Sequence, residues 1–248
     1  MKNPKIQAFT LIELSIVIII IGIIIGGIAA GNELLMQARI RGLINETQNV
    51  KAAINAFKLK FNALPGDFTR AGRIWTSATC TNANAPAGCN GNGDYKINLA
   101  GGGANGQEGY RFWQHLSLGG FINGTYTGTS AKTDQYKLSY SPSAYMNARY
   151  VRAYGSGWLD NYLEIGAWNS TLGLAIEGEL TPIDAYGLDI KIDDGVAGTG
   201  KVLGGDRYTT LIDNLCSYPT GPVLPLPLPD YNLLGEQGPF CRMKVSMD

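Results

Sequence analysis

From Leu14 to Gly31 the chain carries no charged residue. This stretch, LSIVIIIIGIIIGGIAAG, is long enough to dictate where the N-terminus resides. A helix of about 20 apolar residues crosses the roughly 30 Å hydrocarbon core of a bilayer. Two features set it apart from a plain anchor. Glu13 stands at its entrance, and a carboxylate in lipid is costly unless it has a partner. Gly22, Gly26, Gly27 and Gly31 interrupt the apolar run. Each glycine weakens a helix by about 1 kcal/mol relative to alanine, yet small residues let helices approach closely in lipid. Together these features describe a helix built to pack against copies of itself, with a charge that finds its partner in a neighbour. The bland alternatives are a cleavable signal peptide, whose apolar core is usually shorter, and a simple anchor in which Glu13 is an accident. Lys2 and Lys5 before the span and Arg39 and Arg41 after it leave the orientation unset by charge.

Beyond Asn32 the pattern changes without a break. Met36, Ile40, Leu43, Val50, Ile54, Phe57 and Phe61 recur at helical spacing, with Arg39, Glu46, Gln48, Lys51 and Lys58 on other faces. Asn62-Ala63-Leu64-Pro65-Gly66-Asp67 is a strong stop. One helix from about Phe9 to Phe61 is therefore expected, its first half in the membrane and its second half packed on a domain.

The N-terminal residues resemble a known signal. The string AFTLIELSIVIIIIG, residues 8–22, is similar to the class III signal of type IV prepilins and of type II secretion pseudopilins. The resemblance implies that a short basic leader, residues 1–8, is cut between Ala8 and Phe9 and that Phe9 is then N-methylated. It implies that Glu13 neutralises the amino terminus of an adjacent subunit during assembly. The family prefers glycine before the cut, where this chain has Ala8, and no proline occurs between Phe9 and Leu64. LPGDF, the glycine- and asparagine-rich loop before FWQHLSLGGFI, and the DAYGLDIKIDDG…GTGKV block are similar to a group of large bacterial prepilin-type proteins. The expected fold class is α+β, pilin-like: a long N-terminal helix packed on a mainly antiparallel sheet with large loop insertions. The expected organisation is leader 1–8, membrane and polymerisation half 9–31, amphipathic half 32–61 and globular domain 62–248. The partners implied are copies of itself and other pilin-like subunits, a prepilin peptidase and methylase, and an inner-membrane assembly platform. The leader would be cytoplasmic, the helix in the bacterial inner membrane and the domain periplasmic or extracellular.

Within 62–248, EGYRFWQHLSLGGFI reads as a short amphipathic helix with Phe112, Trp113 and Leu116 facing a core. The alternation from Thr125 to Tyr140 reads as strands, as do Tyr145–Tyr154, Tyr162–Ala167 and Lys201–Leu203. LTPIDAYGLDIKIDDG reads as a helix running into a turn, and PVLPLPLP as extended polyproline chain. Strand-and-turn composition fits the 33 glycines and the low charged fraction of 16%. Formal net charge is zero, so nucleic acid is not indicated.

Four cysteines, Cys80, Cys89, Cys216 and Cys241, include no CxxC pair, which disfavours zinc. An even count on an exported chain suits disulfides. Of three connectivities we expect Cys80–Cys89 and Cys216–Cys241, each closing a loop rich in Pro, Gly or Asn; four buried thiols are the alternative.

Catalysis finds little support. The single histidine, His115, lies in a helix that reads as structural, and no GxSxG, HExxH or phosphate-binding motif occurs. Asn90, Asn92 and Asp94 alternate as in the first half of a calcium loop, with Glu108 able to close the shell only by folding back. Asp189, Asp193 and Asp194 form a second acidic group. Asx residues beside glycine also make ordinary turns. Trp75, Trp113, Trp158 and Trp168 fill a core or interfaces, or else line a binding surface. The sequence thus reads as a filament subunit, with a membrane-anchored, tip-adhesin-like binding module as the alternative and an anchored enzyme as a third, weaker reading.

Overall fold

A computed structural model describes residues 10–75, 80, 89–99, 107–152, 159–206, 215–216, 231–235 and 238–248. Ala8, Phe9, Trp158 and the PVLPLPLP stretch lie outside them.

Helix α1 runs unbroken over Leu11–Phe61, 51 residues. Thr10 caps it, and Asn62 closes it in the left-handed conformation at φ 49°, its N–H bonded to the Lys58 carbonyl. Asparagine is among the few non-glycine residues that take this conformation readily. Ile40, Leu43, Val50, Ile54 and Phe57 form the expected buried stripe, joined by Thr47 and Ala53.

Six strands make one antiparallel sheet among the described residues: β1 Tyr136–Lys137, β2 Ala144–Arg152, β3 Leu159–Asn169, β4 Leu174–Glu177, β5 Val202–Asp206 and β6 Cys241–Ser246. Their order is β1-β2-β3-β6-β5. β3 is the spine. It pairs with β2 along Leu159–Ala167, while its other edge takes β6 along Tyr162–Ile165 and β4 along Ala167–Asn169, with a bulge at Ala167/Trp168. One face of the sheet presents Ala144, Met146, Ala148, Leu163, Ile165, Val202, Met243 and Val245 to the same core as the α1 stripe. Each of the larger of these side chains, Met, Leu, Ile and Val, contributes about 1.5–3 kcal/mol by leaving water. The molecule is an α+β protein of a long N-terminal helix on an antiparallel sheet.

Three shorter helices complete it: α2 Ala71–Ile74, α3 Glu108–Leu118 and α4 Pro182–Ile192. α4 starts as Thr181-Pro182 predicts, the Thr181 hydroxyl accepting the Asp184 N–H. α3 differs from expectation. Phe112, Trp113 and Leu116 are fully buried, and every residue from Glu108 to His115 is buried as well, so this part of the helix has no exposed polar face. Thr125–Tyr140 also differs, contributing only the two-residue β1 and a single 3-10 turn at Lys132–Asp134. The buried Asp134 carboxylate explains this, since its Oδ2 takes the N–H groups of Thr127 and Thr129 at 3.2 and 2.9 Å. Donors spent on a carboxylate cannot enter a ladder.

β4 and β6 were not expected. β6 alternates strictly, with Cys241, Met243 and Val245 in the core. Its other face is also buried. Arg242 and Lys244 are 6% and 3% exposed, and Lys244 Nζ and Arg149 Nη1 approach Glu164 at 3.9 and 3.5 Å. Burial pulls the Lys244 ammonium down to about 8.

Candidate polymerisation site

The start of α1 is a closed capping box. Thr10 N–H and its hydroxyl both donate to Glu13 Oε2, at 2.8 and 2.7 Å, while Glu13 N–H donates to Thr10 Oγ1 at 3.3 Å. The Thr-x-x-Glu spacing is what such a box requires. Sequence reading took Glu13 only as a charge in search of a partner, although the signal for the box was present in Thr10. Glu13 Oε1 accepts no hydrogen bond among the described residues.

Beyond the box, α1 stands clear of the rest of the chain. Leu11, Ile12, Leu14, Ile16, Val17, Ile18, Ile19, Ile20, Ile21, Ile23, Ile24, Ile25 and Ile28 are all exposed. The helix is long and apolar enough to cross a membrane. A β-carbon added at Gly22, Gly26, Gly27 or Gly31 would meet nothing within 4 Å. No contact among the described residues calls for glycine at these positions.

The calcium-loop residues come together in another way than the alternation implied. Asn90 Oδ1 accepts the Gly72 N–H and Asn92 Oδ1 the Asp94 N–H, both at 2.8–2.9 Å. The carboxylates that gather near Asp94 are Asp67 and Glu108, with one oxygen from each of the three within 4.8 Å of the others. Glu108 does fold back: Oε1 accepts from Asn92 N–H and Oε2 from Asn98 N–H, each at 2.9 Å. Asp67, quoted in the sequence only as part of LPGDF, accepts from the Gly93 and Tyr95 N–H groups. Burial pushes both carboxyls above their ordinary values; the charge of Asp94 adds to the rise at Asp67, and that of Asp67 to the rise at Glu108. Asp189, Asp193 and Asp194 also cluster. Tyr231 donates to Asp189 Oδ2 at 2.8 Å, and burial lifts the Asp189 carboxyl to about 6.

His115 is fully buried. Its Nδ1 accepts the Gly66 N–H at 2.8 Å, so Nε2 carries the proton and donates to the Cys89 carbonyl at 2.7 Å. Burial depresses it to about 4, which keeps it neutral. The ring ties the turn after α1 to the small cysteine loop and lies parallel to Phe57. Cys80 is bonded to Cys89, and Cys216 to Cys241.

With this geometry in place, comparison with known families singles out the same end of the molecule. Residues 3–29 match the prokaryotic N-terminal methylation motif. The chain carries the signature of type IV pilins and pseudopilins. The matched segment includes Ala8, Phe9, Thr10, Glu13 and three of the four helix glycines, and it ends before Gly31. No curated protein and no solved structure matches the chain. The pilin signature and the exposed apolar helix fit a membrane-anchored structural subunit that assembles with other pilin subunits and is processed by a prepilin peptidase.

Proposed function

We propose that this chain is a subunit of a type IV pilus or of a type II secretion-type filament. It would be inserted in the bacterial inner membrane with its leader cytoplasmic, cut between Ala8 and Phe9, N-methylated on Phe9, and drawn by an inner-membrane platform into a helical polymer. The observation that carries this reading is the membrane half of α1. It is a helix of exposed isoleucines whose four glycines have open space for a β-carbon among the described residues. Those glycines forgo about 4 kcal/mol of helix propensity together, and close packing of α1 against other copies is what would offset it.

Glu13 is central to this mechanism. In the single chain the capping box satisfies one of its oxygens, which eases residence near the bilayer edge. In the polymer the other oxygen would accept the amino terminus of a neighbour, a charge-assisted bond in low dielectric. Glu13→Ala removes both roles. It should abolish incorporation into sheared filaments while the domain folds normally, and normal incorporation by this variant would refute the pairing. Mass spectrometry of the mature N-terminus checks the cut and the methyl group directly.

A smaller proposal concerns the loop. If calcium binds there, its centre is the carboxylate trio Asp67, Asp94 and Glu108, with hard oxygen ligands of the type calcium prefers. Saturating calcium should then raise the thermal midpoint of the full chain, and Asp67→Asn should erase the rise. An unchanged wild-type midpoint would remove calcium from this loop.

A further inference from the structure

Two non-glycine residues among those described hold a positive φ, Asn62 at 49° and Tyr95 at 60°. Every other positive-φ position among them is a glycine. Asparagine tolerates this conformation, but a bulky aromatic residue there is an outlier that costs free energy. Two hydrogen bonds hold Tyr95 to it. Its N–H donates to Asp67 Oδ2 at 2.7 Å, and its carbonyl accepts from Asn161 Nδ2 at 2.9 Å. The ring gains little packing in return, since Tyr95 remains 64% exposed. A strained residue that its surroundings fix in place, with its side chain left in water, points to a site of function rather than of folding.

Both residues line the same cavity, at the end of α1 farthest from its apolar half. The cavity has a volume of about 400 Å³, within the range of about 300–1,000 Å³ usual for small-molecule sites. Leu64 and Met247, both buried, supply apolar lining. Lys58 and Asp248 supply a cation and an anion 3.2 Å apart. Lys51 and Lys201 hold Asp248 in place from outside the lining, donating to its carbonyl at 2.8 and 3.2 Å. Asn62 adds an exposed amide. The lining thus combines a ring face with hydrogen-bond donors and acceptors, and the charges of Lys58 and Asp248 cancel.

We propose that this cavity binds a saccharide. A sugar ring has an apolar face of C–H bonds that lies against an aromatic ring, and a rim of hydroxyls that both donate and accept. Tyr95 takes the face, and Lys58, Asn62 and Asp248 take the hydroxyls. An apolar ligand would strip water from the Lys58–Asp248 pair and the Asn62 amide without replacing its hydrogen bonds. A polyanion would meet the Asp248 carboxylate. Position leaves the cavity accessible, because Asn62 lies about 46 Å beyond Gly31 at 1.5 Å per residue, clear of a bilayer that holds the apolar half of α1. The proposal concerns the opposite end of the helix from the filament reading and does not depend on it.

The test uses the full chain in a detergent that carries no sugar headgroup. Saturation-transfer NMR is run with lactose, maltotriose, mannotriose, chitotriose and sialyl-lactose as probes. At least one should show transfer, and Tyr95→Gly should weaken its binding on the order of tenfold or more, as truncation of a central aromatic contact does. Tyr95→Phe keeps the ring and should bind as wild type does. Glycine suits the backbone at position 95, so Tyr95→Gly should unfold at a midpoint no lower than that of wild type, which separates lost binding from lost structure. Asn62→Gly preserves the left-handed helix cap; it should fold normally and bind more weakly. Absence of transfer from every probe would overturn the proposal, as would binding undiminished in Tyr95→Gly. A lowered midpoint for Tyr95→Gly would show that the ring is held for folding and would overturn it too. Transfer to triglycine, with none to any saccharide, would overturn the ligand class.

Discussion

His115 offers the sharpest test of how the domain is held together. Replacing it by phenylalanine keeps the ring that lies parallel to Phe57 but deletes both nitrogen atoms. The Gly66 N–H and the Cys89 carbonyl would lose their partners at 2.8 and 2.7 Å. Leaving a buried polar group unsatisfied costs about 1–3 kcal/mol, so His115→Phe should destabilise the domain by about 2–6 kcal/mol at pH 7. The effect should also depend on pH in a defined direction. The native imidazole is depressed from 6.5 to about 4. Between these values the unfolded chain binds a proton that the native chain refuses, so native stability falls as pH drops through this window. By pH 4 the loss reaches about 3 kcal/mol. Phenylalanine cannot take up a proton, so the stability gap between wild type and variant should shrink by about 3 kcal/mol from pH 7 to pH 4.

Other groups work in the opposite sense. Asp67, Glu108 and Asp189 have carboxyls raised in the native state. Their contributions are present at low pH and are lost as pH rises through the native values. They occur in both proteins and so cancel in the comparison. Guanidinium unfolding of the full chain in detergent, followed by tryptophan fluorescence, reads the difference, since Trp75 lies 5.6 Å from the His115 ring. A gap that stays constant from pH 7 to pH 4 would refute a neutral, doubly bonded His115.

Two further predictions use the same assay. Gly66 sits at φ +83°, and a β-carbon there would lie 2.3 Å from the Glu108 carbonyl oxygen; Gly66→Ala should therefore destabilise by at least about 2 kcal/mol, while Gly26→Ala, in open space, leaves the domain midpoint unchanged. Breaking Cys216–Cys241, a separation of 25 residues, should cost about 3.5 kcal/mol in loop entropy, seen as a lower denaturation midpoint for the double serine variant.

Features with a local signature were readable in the sequence. α1 announced itself by the period of its apolar residues and by the stop at Pro65-Gly66, and α4 by Thr181-Pro182. The runs that became β2 and β3 were visible from their alternation. β6 had equally clear alternation, but Arg242 and Lys244 look like surface residues, and nothing local says that Glu164 waits beside them inside the protein. Asp134 misled in the other direction, because its capture of two amide groups turns a strand-like stretch into a loop. At the sites the pattern repeats. Thr10 and Glu13 are three residues apart, so their box was legible. Asp67 reaches Asp94 and Glu108 only because α1 ends where it does and α3 folds over that end, a juxtaposition set by tertiary packing.

The sheet order has a consequence for how the domain comes into being. Among the described residues β5 touches the sheet only through β6. Among them the stretch Val202–Asp206 therefore has no strand to pair with until Cys241–Ser246 has been made. The Cys216–Cys241 bond waits on the same event. α1 emerges first, yet its core stripe cannot be fully covered until the distal end of the chain arrives. The sheet therefore closes only when Cys241–Ser246 has docked between β3 and β5.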